Sequence, residues 1–452
     1  MELDIFIAVL HGLIAGTVLG CVPGLGVLAG VLFSLPWLPY YSMMAIVLFY
    51  LSLIISSQYT GSIVATYFGI PGELTSATAS KVGYALQRRG QGNQAIIGAA
   101  MGSMLATIIS IMLVHFSVNF LSQHAWIHHS AIYLGIMLFV VIYLAFINQY
   151  WLLNMVLIIL GLVLGGLGNK HGLQEFNFAF GQEWLEQGLI VPLIVIVSFV
   201  IPNLWIENKE TINSVALKKI AKPDNTMGLN WYLFLKTKWS IMRGTLIGCI
   251  SGLIPGVGTS ISSNMSWGVE KSIHSSPMRQ LVAAESANNS AMITSLIPLI
   301  LFGVPILASE SLILEILESH GESVDISWFT GFYNESNFSR LELFSVSAFV
   351  ISFIMYFMST NFAVRLTRII SIIPNNFFRF LLPISMVMFF VLKGYLEYQL
   401  VSTLFTILLC LPIMLWAIRK KINTLPLVFT TLLTPPLLER GSVVVALFTN
   451  IW

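Results

Sequence analysis

The residues best suited to bind a ligand lie next to prolines and glycines, inside sequence that is otherwise apolar. They form three polar groups, at 56–62 shortly before Pro71, at 259–264 shortly after Pro255, and at 285–290. Amide and hydroxyl oxygens are hard ligands that suit Na⁺, and the N–H and O–H groups of the same side chains can bind carboxylate oxygens. The sequence therefore predicts a site for a small anion together with a cation.

The adjacent amides Asn288 and Asn289 are the strongest of these candidates. Amides are costly in a membrane span unless they bind a ligand, an ion or another backbone group. Helix capping or interhelical hydrogen bonding is the competing interpretation, and it applies equally to the serines and threonines. Glu285 is either an interfacial charge or a site for a cation or proton.

The overall composition decides which elements must carry these groups. Of 452 residues, 56% are hydrophobic and only 42 are Asp, Glu, Lys or Arg, whereas soluble domains are about 25% charged. Residues 5–72 and 90–169 contain no charged side chain, and a helical crossing needs only about 20 apolar residues. The sequence therefore predicts an all-α polytopic membrane protein with about 10–14 membrane segments.

Two sets of glycines and prolines indicate that the chain contains a duplication. Residues 12–26 align with residues 244–258 so that five glycines and one proline coincide, each pair 232 residues apart. A second pair of anchors, Phe68-Gly69-Ile70-Pro71 and Phe302-Gly303-Val304-Pro305, follows at an offset of 234 residues. Because both anchors recur in the same order, the two halves are predicted to share one fold.

The positions of lysine and arginine predict that the two halves face opposite ways across the membrane. The loop at 81–89 carries three basic residues, whereas its counterpart at 318–335 is acidic. Loops rich in lysine and arginine stay on the cytoplasmic side. We therefore predict a first inverted repeat at 1–206, a cytoplasmic linker at 207–243 and a second inverted repeat at 244–452, with both termini outside.

The proline-glycine pairs Pro23-Gly24 and Pro71-Gly72 would break helices inside or beside the charge-free stretches. In lipid such a break is tolerated only where protein packs around it or where it lines a wet cavity. Breaks at matching positions of inverted repeats indicate a transporter site near the bilayer midplane, built from discontinuous helices or re-entrant hairpins. A helix N-terminus there suits a carboxylate, and free carbonyls suit Na⁺. A simple kink is the alternative.

These arguments define the candidate site, whereas the spacing of Gly12, Gly16 and Gly20 is typical of close helix packing. The candidate substrate-binding residues are Pro23, Gly24, Gly26, Thr60, Gly61, Ser62, Pro71, Gly72, Pro255, Gly256, Gly258, Thr259, Ser260, Ser286, Asn288 and Asn289. The candidate Na⁺ ligands are Thr60, Ser286, Asn288 and Asn289. Beyond Na⁺ as a coupling ion, no cofactor is predicted.

Seven short motifs along nearly the whole chain carry a resemblance to a known family. They are G-x3-G-x2-PGLG at 16–26, Y-x-GS at 59–62, IPGE at 70–73, Gly83-Tyr84, RGTLIG at 243–248, PGVG at 255–258 and ESANN at 285–289. With these motifs the chain resembles the TctA family, the large membrane subunit of tripartite tricarboxylate transporters. The resemblance implies an inverted-repeat permease that moves small carboxylates inward on a cation gradient. It also implies a homodimer, a small four-span membrane subunit and an extracytoplasmic solute-binding protein as partners.

The chain departs from the usual pattern of that family in the details of these motifs. Thr60 stands where the family usually has glycine, and Leu74 and Ala284 stand where it usually has proline. Val82 replaces an aspartate, and the second anchor continues as Val304-Pro305-Ile306 without the expected glycine. The helix-breaking motifs are therefore retained better than the polar positions around them.

The sequence as a whole predicts a secondary active transporter of the cell inner membrane. Its expected substrates are small organic anions such as di- or tricarboxylates, coupled to Na⁺ or H⁺, with alternating access between the two repeats. The alternative is an orphan translocase for a lipid-linked or other amphiphilic substrate on the same scaffold. No H-E-x-x-H or G-x-S-x-G motif indicates an enzyme, and a net charge of +2 without a basic block indicates no nucleic-acid partner.

Overall fold

A computed structural model shows that the chain is built from α-helices. It describes residues 2–21, 26–69, 77–124, 129–168, 179–186, 188–202, 205, 231–256, 258–273, 276–321, 324–333, 338–372, 382–396 and 399–449. These residues form no β-strand, and Phe332 and Ser339 make one isolated β-bridge. The prediction of an all-α protein is confirmed.

The helices are numbered here in chain order. Helices α1 to α9 are Glu2–Gly20, Gly26–Ser34, Met43–Phe68, Ala77–Arg88, Gly92–Ser122, Ser130–Ala145, Trp151–Gly166, Glu183–Glu186 and Val191–Val200. Helices α10 to α19 are Trp231–Ser251, Gly258–Ile273, Pro277–Thr294, Leu296–Phe302, Ala308–Glu318, Ile326–Thr330, Arg340–Ile372, Leu382–Leu396, Leu400–Lys420 and Leu425–Thr449. Helix α10 begins inside the segment predicted as a linker, so residues 231–243 are helical.

Several of these helices are apolar enough to cross a bilayer. Among the described helices, α1, α3, α5, α16 and α18 combine sufficient length with few charged residues. Shorter apolar helices lie within α6, α7, α9, α17 and α19. The chain is therefore a multi-pass membrane protein, while the number of crossings stays a prediction.

The helices are interrupted near the anchors found in the sequence. Pro255 lies between α10 and α11, and Pro305 lies between α13 and α14, as predicted. Gly69 ends α3 at φ +71°, and Gly303 ends α13 at φ +62°. Glycine adopts this left-handed conformation without the steric strain of a Cβ atom, so it stops both helices in the same way. Residues 43–68 shifted by 234 cover 277–302, which are α12 and α13 together.

Contacts divide the chain into two compact units. The first contains residues 1–123, 207–303 and 313–375, and the second contains residues 124–206, 304–312 and 376–452. Each unit therefore draws segments from both predicted repeats. In the first unit, α3 is buried along almost its entire length.

Two helix pairs in the first unit pack in the same way. A Cβ atom on Gly16 of α1 would lie 2.5 Å from the Leu53 carbonyl oxygen of α3. A Cβ atom on Gly248 of α10 would lie 2.2 Å from the Ala287 carbonyl oxygen of α12. Such distances require glycine, because any larger residue would force the helices apart. The glycine stripes therefore mediate close helix packing, as interpreted from the sequence.

The first helix of each pair, α1 or α10, also forms an antiparallel hairpin with the helix that follows it in the chain. His11 of α1 hydrogen-bonds Ser34 at the end of α2 (3.1 Å), so α2 returns along α1. The nine residues of α2 span only about 14 Å, against about 30 Å for the hydrocarbon core. Ser240 of α10 donates to Glu270 of α11 (2.7 Å), so α11 returns along α10. The proline-glycine segments fall between the two helices of each hairpin.

Close packing at glycine residues also joins helices in the second unit. A Cβ atom on Gly161 of α7 would lie 2.5 Å from the Leu427 carbonyl oxygen of α19, and one on Gly165 would lie 2.3 Å from that of Thr431. Ser402 of α18 donates to the Gly188 carbonyl oxygen (3.1 Å). Small residues and hydroxyl groups thus bring these helices together.

Candidate functional site

The candidate site lies in the first unit, where α3 crosses α12. Gln58 and Ser62 are four residues apart on α3, and Glu285 and Asn288 are three apart on α12, so each pair shares one helix face. Asn288 donates from Nδ2 to Oε1 of Gln58. Ser62 lies one turn further along α3 and Glu285 about one turn earlier on α12, on the same helix faces as this bond. The crossing thus combines two hydrogen-bonded amides with a hydroxyl and a carboxyl group.

These contacts also define the relative direction of the two helices. Gln58 contacts Asn288, whereas Ala65, further along α3, belongs to the same hydrophobic cluster as the earlier residue Leu281 of α12. Residue numbers therefore rise along α3 as they fall along α12, and the helices pack antiparallel.

The oxygen atoms at this crossing are buried but poorly paired. Ser62, Glu285 and Asn288 are 5%, 1% and 1% exposed. Ser62 Oγ, Glu285 Oε2 and Asn288 Oδ1 find no hydrogen-bond partner among the residues that the structure describes. An unpaired buried polar group lowers the folding stability by about 1–3 kcal/mol, and by more if it is charged. Its burial also shows that Glu285 is not an exposed interfacial charge.

The next residues of α12 face a different helix. Asn289 donates to Ser103 Oγ of α5 (2.8 Å) and to the Glu285 carbonyl oxygen (3.0 Å). Ser286 donates to the Val282 carbonyl oxygen (2.8 Å) and lies against Gly102 of α5. The adjacent amides Asn288 and Asn289 therefore bond to different helices, and both bonds match the interhelical interpretation.

Thr60 is directed toward α1. Its hydroxyl donates to the carbonyl oxygens of Ser56 (2.9 Å) and Gly16 (3.3 Å). The neighbouring Gly61 is buried inside α3. The four candidate Na⁺ ligands are thus directed at three helices, α1 for Thr60, α3 for Asn288 and α5 for Ser286 and Asn289. Their role in binding Na⁺ stays a prediction.

The candidate residues of the second hairpin lie around the turn between α10 and α11. Pro255 is buried and Gly256 adopts φ +74°. A Cβ atom on Gly258 would lie 2.3 Å from the Ser251 carbonyl oxygen, so the turn requires glycine there. Thr259 is buried in the first turn of α11, which also contains the backbone of Ser260.

Of the remaining candidates, the structure describes only Gly26 and the backbone of Ser260. Gly26 is buried at the start of α2, with φ +54°. Pro23, Gly24, Pro71 and Gly72 lie outside the described residues, as does the side chain of Ser260. Their part in a site stays a prediction.

A third helix contributes polar groups that the sequence analysis missed. Tyr59 of α3 and Ser352 of α16 share a hydrogen bond of 2.9 Å between their hydroxyl groups. Tyr356 and Ser359 of α16 have buried hydroxyls without a partner in the described part of the chain. Polar residues at 352, 356 and 359 share one face of an apolar helix, and that spacing could have identified them.

The chemistry available here is that of hard oxygen ligands and hydrogen-bond donors. The described residues form no group of three or more His, Cys, Asp or Glu side chains that could hold a metal ion. Carboxyl, hydroxyl and amide groups are instead concentrated inside apolar helices. They can bind a hard cation through oxygen atoms or an anion through their donors.

The chain is similar in sequence to a known protein family and to two proteins of other organisms. A family model described as tripartite tricarboxylate transporter TctA family matches residues 6–429. An uncharacterized 52.8 kDa protein in the TAR-I ttuC' 3' region of Agrobacterium vitis is 28% identical over 303 residues, which are 65% of this chain and 60% of that protein. An uncharacterized protein of Methanocaldococcus jannaschii is 30% identical over 110 residues, or 24% of this chain and 28% of that protein. The matches thus span less than two thirds of either relative. No solved structure is significantly similar.

Proposed function

Because the chain belongs to the tripartite tricarboxylate transporter TctA family, we propose that it is a permease for a small organic anion, a di- or tricarboxylate. Transport is coupled to Na⁺ or H⁺ and proceeds by alternating access between two inverted repeats. The observation that carries this proposal is the buried polar crossing of α3 and α12, because polar groups inside apolar helices mark substrate and ion pathways.

The direction of the equivalent helices supports inverted topology. An offset of 234 residues relates α3 to α12 and α13, and α3 packs antiparallel to α12. Repeats related by an axis along the membrane normal would keep equivalent helices parallel. A two-fold axis in the membrane plane reverses them, which is the relationship found in many secondary transporters.

The two hairpins support an anion site. Helix α2 begins at Gly26 and α11 begins at Gly258, immediately after the proline-glycine segments. The first turn of a helix offers free N–H groups and a positive dipole end, which favour a carboxylate. Thr259 adds a buried side chain with a hydroxyl donor in the first turn of α11. We place the substrate carboxylates between these helix starts and the polar crossing.

The family name implies an assembly of several subunits. We propose a small four-span membrane protein and an extracytoplasmic solute-binding protein as partners, and a homodimer as the oligomeric state. In this arrangement the binding protein delivers the anion to the outer face of the permease.

Uptake into proteoliposomes tests the proposal directly. The purified chain, with and without candidate partner proteins, is supplied with labelled di- and tricarboxylates under Na⁺, H⁺ or no gradient. We expect carboxylate uptake that rises with an inward cation gradient and collapses when an ionophore dissipates it. If no carboxylate moves under any gradient, even with partners present, the proposal is wrong. Movement of a labelled amphiphile between leaflets would then favour the translocase alternative.

A further inference from the structure

We propose that Ser62, Glu285 and Asn288 form a binding site for one monovalent metal cation at the crossing of α3 and α12. The three side chains contribute a hydroxyl, a carboxylate and an amide oxygen, which are hard ligands suited to an alkali cation. This inference deepens the proposed function. Its assignment of the bound cation as the coupling ion rests on that function.

The hydrogen bond between Asn288 and Gln58 orients the site. Asn288 uses its Nδ2 group as a donor to Gln58, which leaves Oδ1 as the atom that is buried and unpaired among the described residues. Glu285 lies one helical turn earlier on the same face, and Ser62 lies one turn beyond Gln58 on the antiparallel helix. Three buried oxygen atoms from two helices, each without a partner in the described part of the chain, thus lie on residues of this crossing.

The charge balance around Glu285 favours a monovalent cation. Helices α3 and α5 contain no lysine or arginine. Helices α4, α10 and α11 also pack against α12, but Arg243 of α10 is paired with Glu270, and their other lysines and arginines are exposed. Arg279 on α12 is six residues away, about 9 Å along the helix axis, and it is partly exposed. A buried carboxylate is unfavourable unless it is paired. One monovalent cation would neutralise it, whereas a divalent ion would leave an uncompensated positive charge.

A second buried carboxylate in the same unit has the partners that a purely structural charge requires. Glu270 on α11 is also 1% exposed, but it pairs with Arg243 at 2.7 Å and accepts a hydrogen bond from Ser240 at 2.7 Å. Glu285 has no comparable set of partners among the described residues. The contrast distinguishes a carboxylate built into the scaffold from one available to a ligand.

The site differs from the Na⁺ ligands predicted from the sequence. Asn288 is common to both sets. Ser286 and Asn289 are directed at α5 and Thr60 at α1, so they are replaced here by Ser62 and Glu285.

Thermal unfolding of the purified protein in detergent tests the site without transport. NaCl, LiCl, KCl and choline chloride are compared at constant ionic strength. We expect a saturable rise in Tm with at least one alkali cation and none with choline, because a ligand that binds only the folded state stabilises it. Glu285→Gln should abolish this rise, and Ser62→Ala should weaken the apparent affinity about tenfold. Glu270→Gln is the matched control, which should lower Tm but keep the cation-dependent rise.

An equal rise of the wild type in choline, or an unchanged saturable rise in Glu285→Gln, would overturn the assignment. If Glu285→Gln does not fold, the alkali cation that raises the Tm of the wild type is used in a binding assay with the wild type and with Ser62→Ala, and equal binding by both overturns the assignment. Carboxylate uptake by a wild-type protein that shows no cation-specific rise would remove this site while the proposed function stands. Cation binding without any carboxylate uptake would keep this site and contradict the proposed function.

Discussion

Asn288 donates a hydrogen bond to the side-chain oxygen of Gln58, and the two residues are 230 positions apart in sequence. Both side chains are buried, Asn288 to 1% and Gln58 to 4% exposure. The bond joins α3 of the first predicted repeat to α12 of the second. It therefore connects two helices that the sequence alignment predicts to be equivalent, at the point where the buried polar groups are concentrated.

Replacing Asn288 by alanine should impair transport more than folding. The variant loses the bond to Gln58 and one oxygen of the proposed cation site, so we expect the apparent affinity for cation or carboxylate to fall about tenfold. Uptake measured against substrate and cation concentration gives both affinities. Asn154→Ala is the control, because buried Asn154 donates to the Ala145 carbonyl oxygen (3.2 Å) in the other unit and should affect only Tm. Loss of nearly all folded Asn288→Ala would instead indicate a structural role.

Replacing Asn289 by alanine should instead impair folding stability more than transport. Its side chain joins α12 to Ser103 of α5, and the variant leaves the buried Ser103 hydroxyl without that donor. We expect a loss of about 1–2 kcal/mol in stability and little change in affinity. Tm and uptake kinetics of the two asparagine variants, measured side by side, test this contrast. A larger change in affinity for Asn289→Ala than for Asn288→Ala would contradict it.

Adding a methyl group at the glycine stripes should separate the helices. In Gly248→Ala the new Cβ atom would lie 2.2 Å from the Ala287 carbonyl oxygen, and Gly16→Ala places one 2.5 Å from that of Leu53. Overpacking of this kind costs about 1–3 kcal/mol, so both variants should show a lower Tm and less monodisperse protein. Gly268→Ala is the control, because nothing lies within 4 Å of its added Cβ atom. Wild-type Tm values for both stripe variants would refute the packing account.

Removing Arg243 should destabilise the hairpin of α10 and α11. Arg243→Ala leaves the Glu270 carboxylate buried without its cation, which typically costs about 3–5 kcal/mol. The double variant Arg243→Met with Glu270→Gln removes the charge as well and should recover most of the loss. Thermal unfolding of the single and double variants measures the difference. Equal Tm values for the two would show that the ion pair contributes little.

Inverted topology predicts that equivalent loops lie on opposite sides of the membrane. Residues 81–88, predicted as a basic loop, belong to α4 in the structure, and the exposed residues Arg89 and Ser319 directly follow α4 and α14. The test uses a variant in which Cys21, Cys249 and Cys410 are replaced, so that each introduced cysteine is the labelling site. All three native cysteines are buried. An impermeant maleimide should label Ser319→Cys in intact cells and Arg89→Cys only after permeabilisation. Labelling of both from the same side would refute the inversion.

Patterns in the chain were sufficient to predict the all-α class and the breaks near Pro255 and Pro305. Gly69 and Gly303 end helices 234 residues apart, and Pro255 and Pro305 lie between helices where the two anchors repeat. These features depend on local backbone preferences, which each residue carries with it. Helix packing at Gly16 and Gly248 was predictable for the same reason, because a stripe of small residues has its own spacing.

Only the tertiary structure decided which polar faces meet. The spacing of Ser62 and Gln58 shows that they share a face, but not that this face lies against the face of α12 that carries Asn288. Tyr59 meets Ser352 from 293 residues away. In a membrane protein, apolar residues cover both lipid-facing and protein-facing surfaces, so hydrophobic pattern does not identify the neighbour of a helix. That choice depends on shape and hydrogen bonding between helices distant in sequence, and these exist only once the chain has folded.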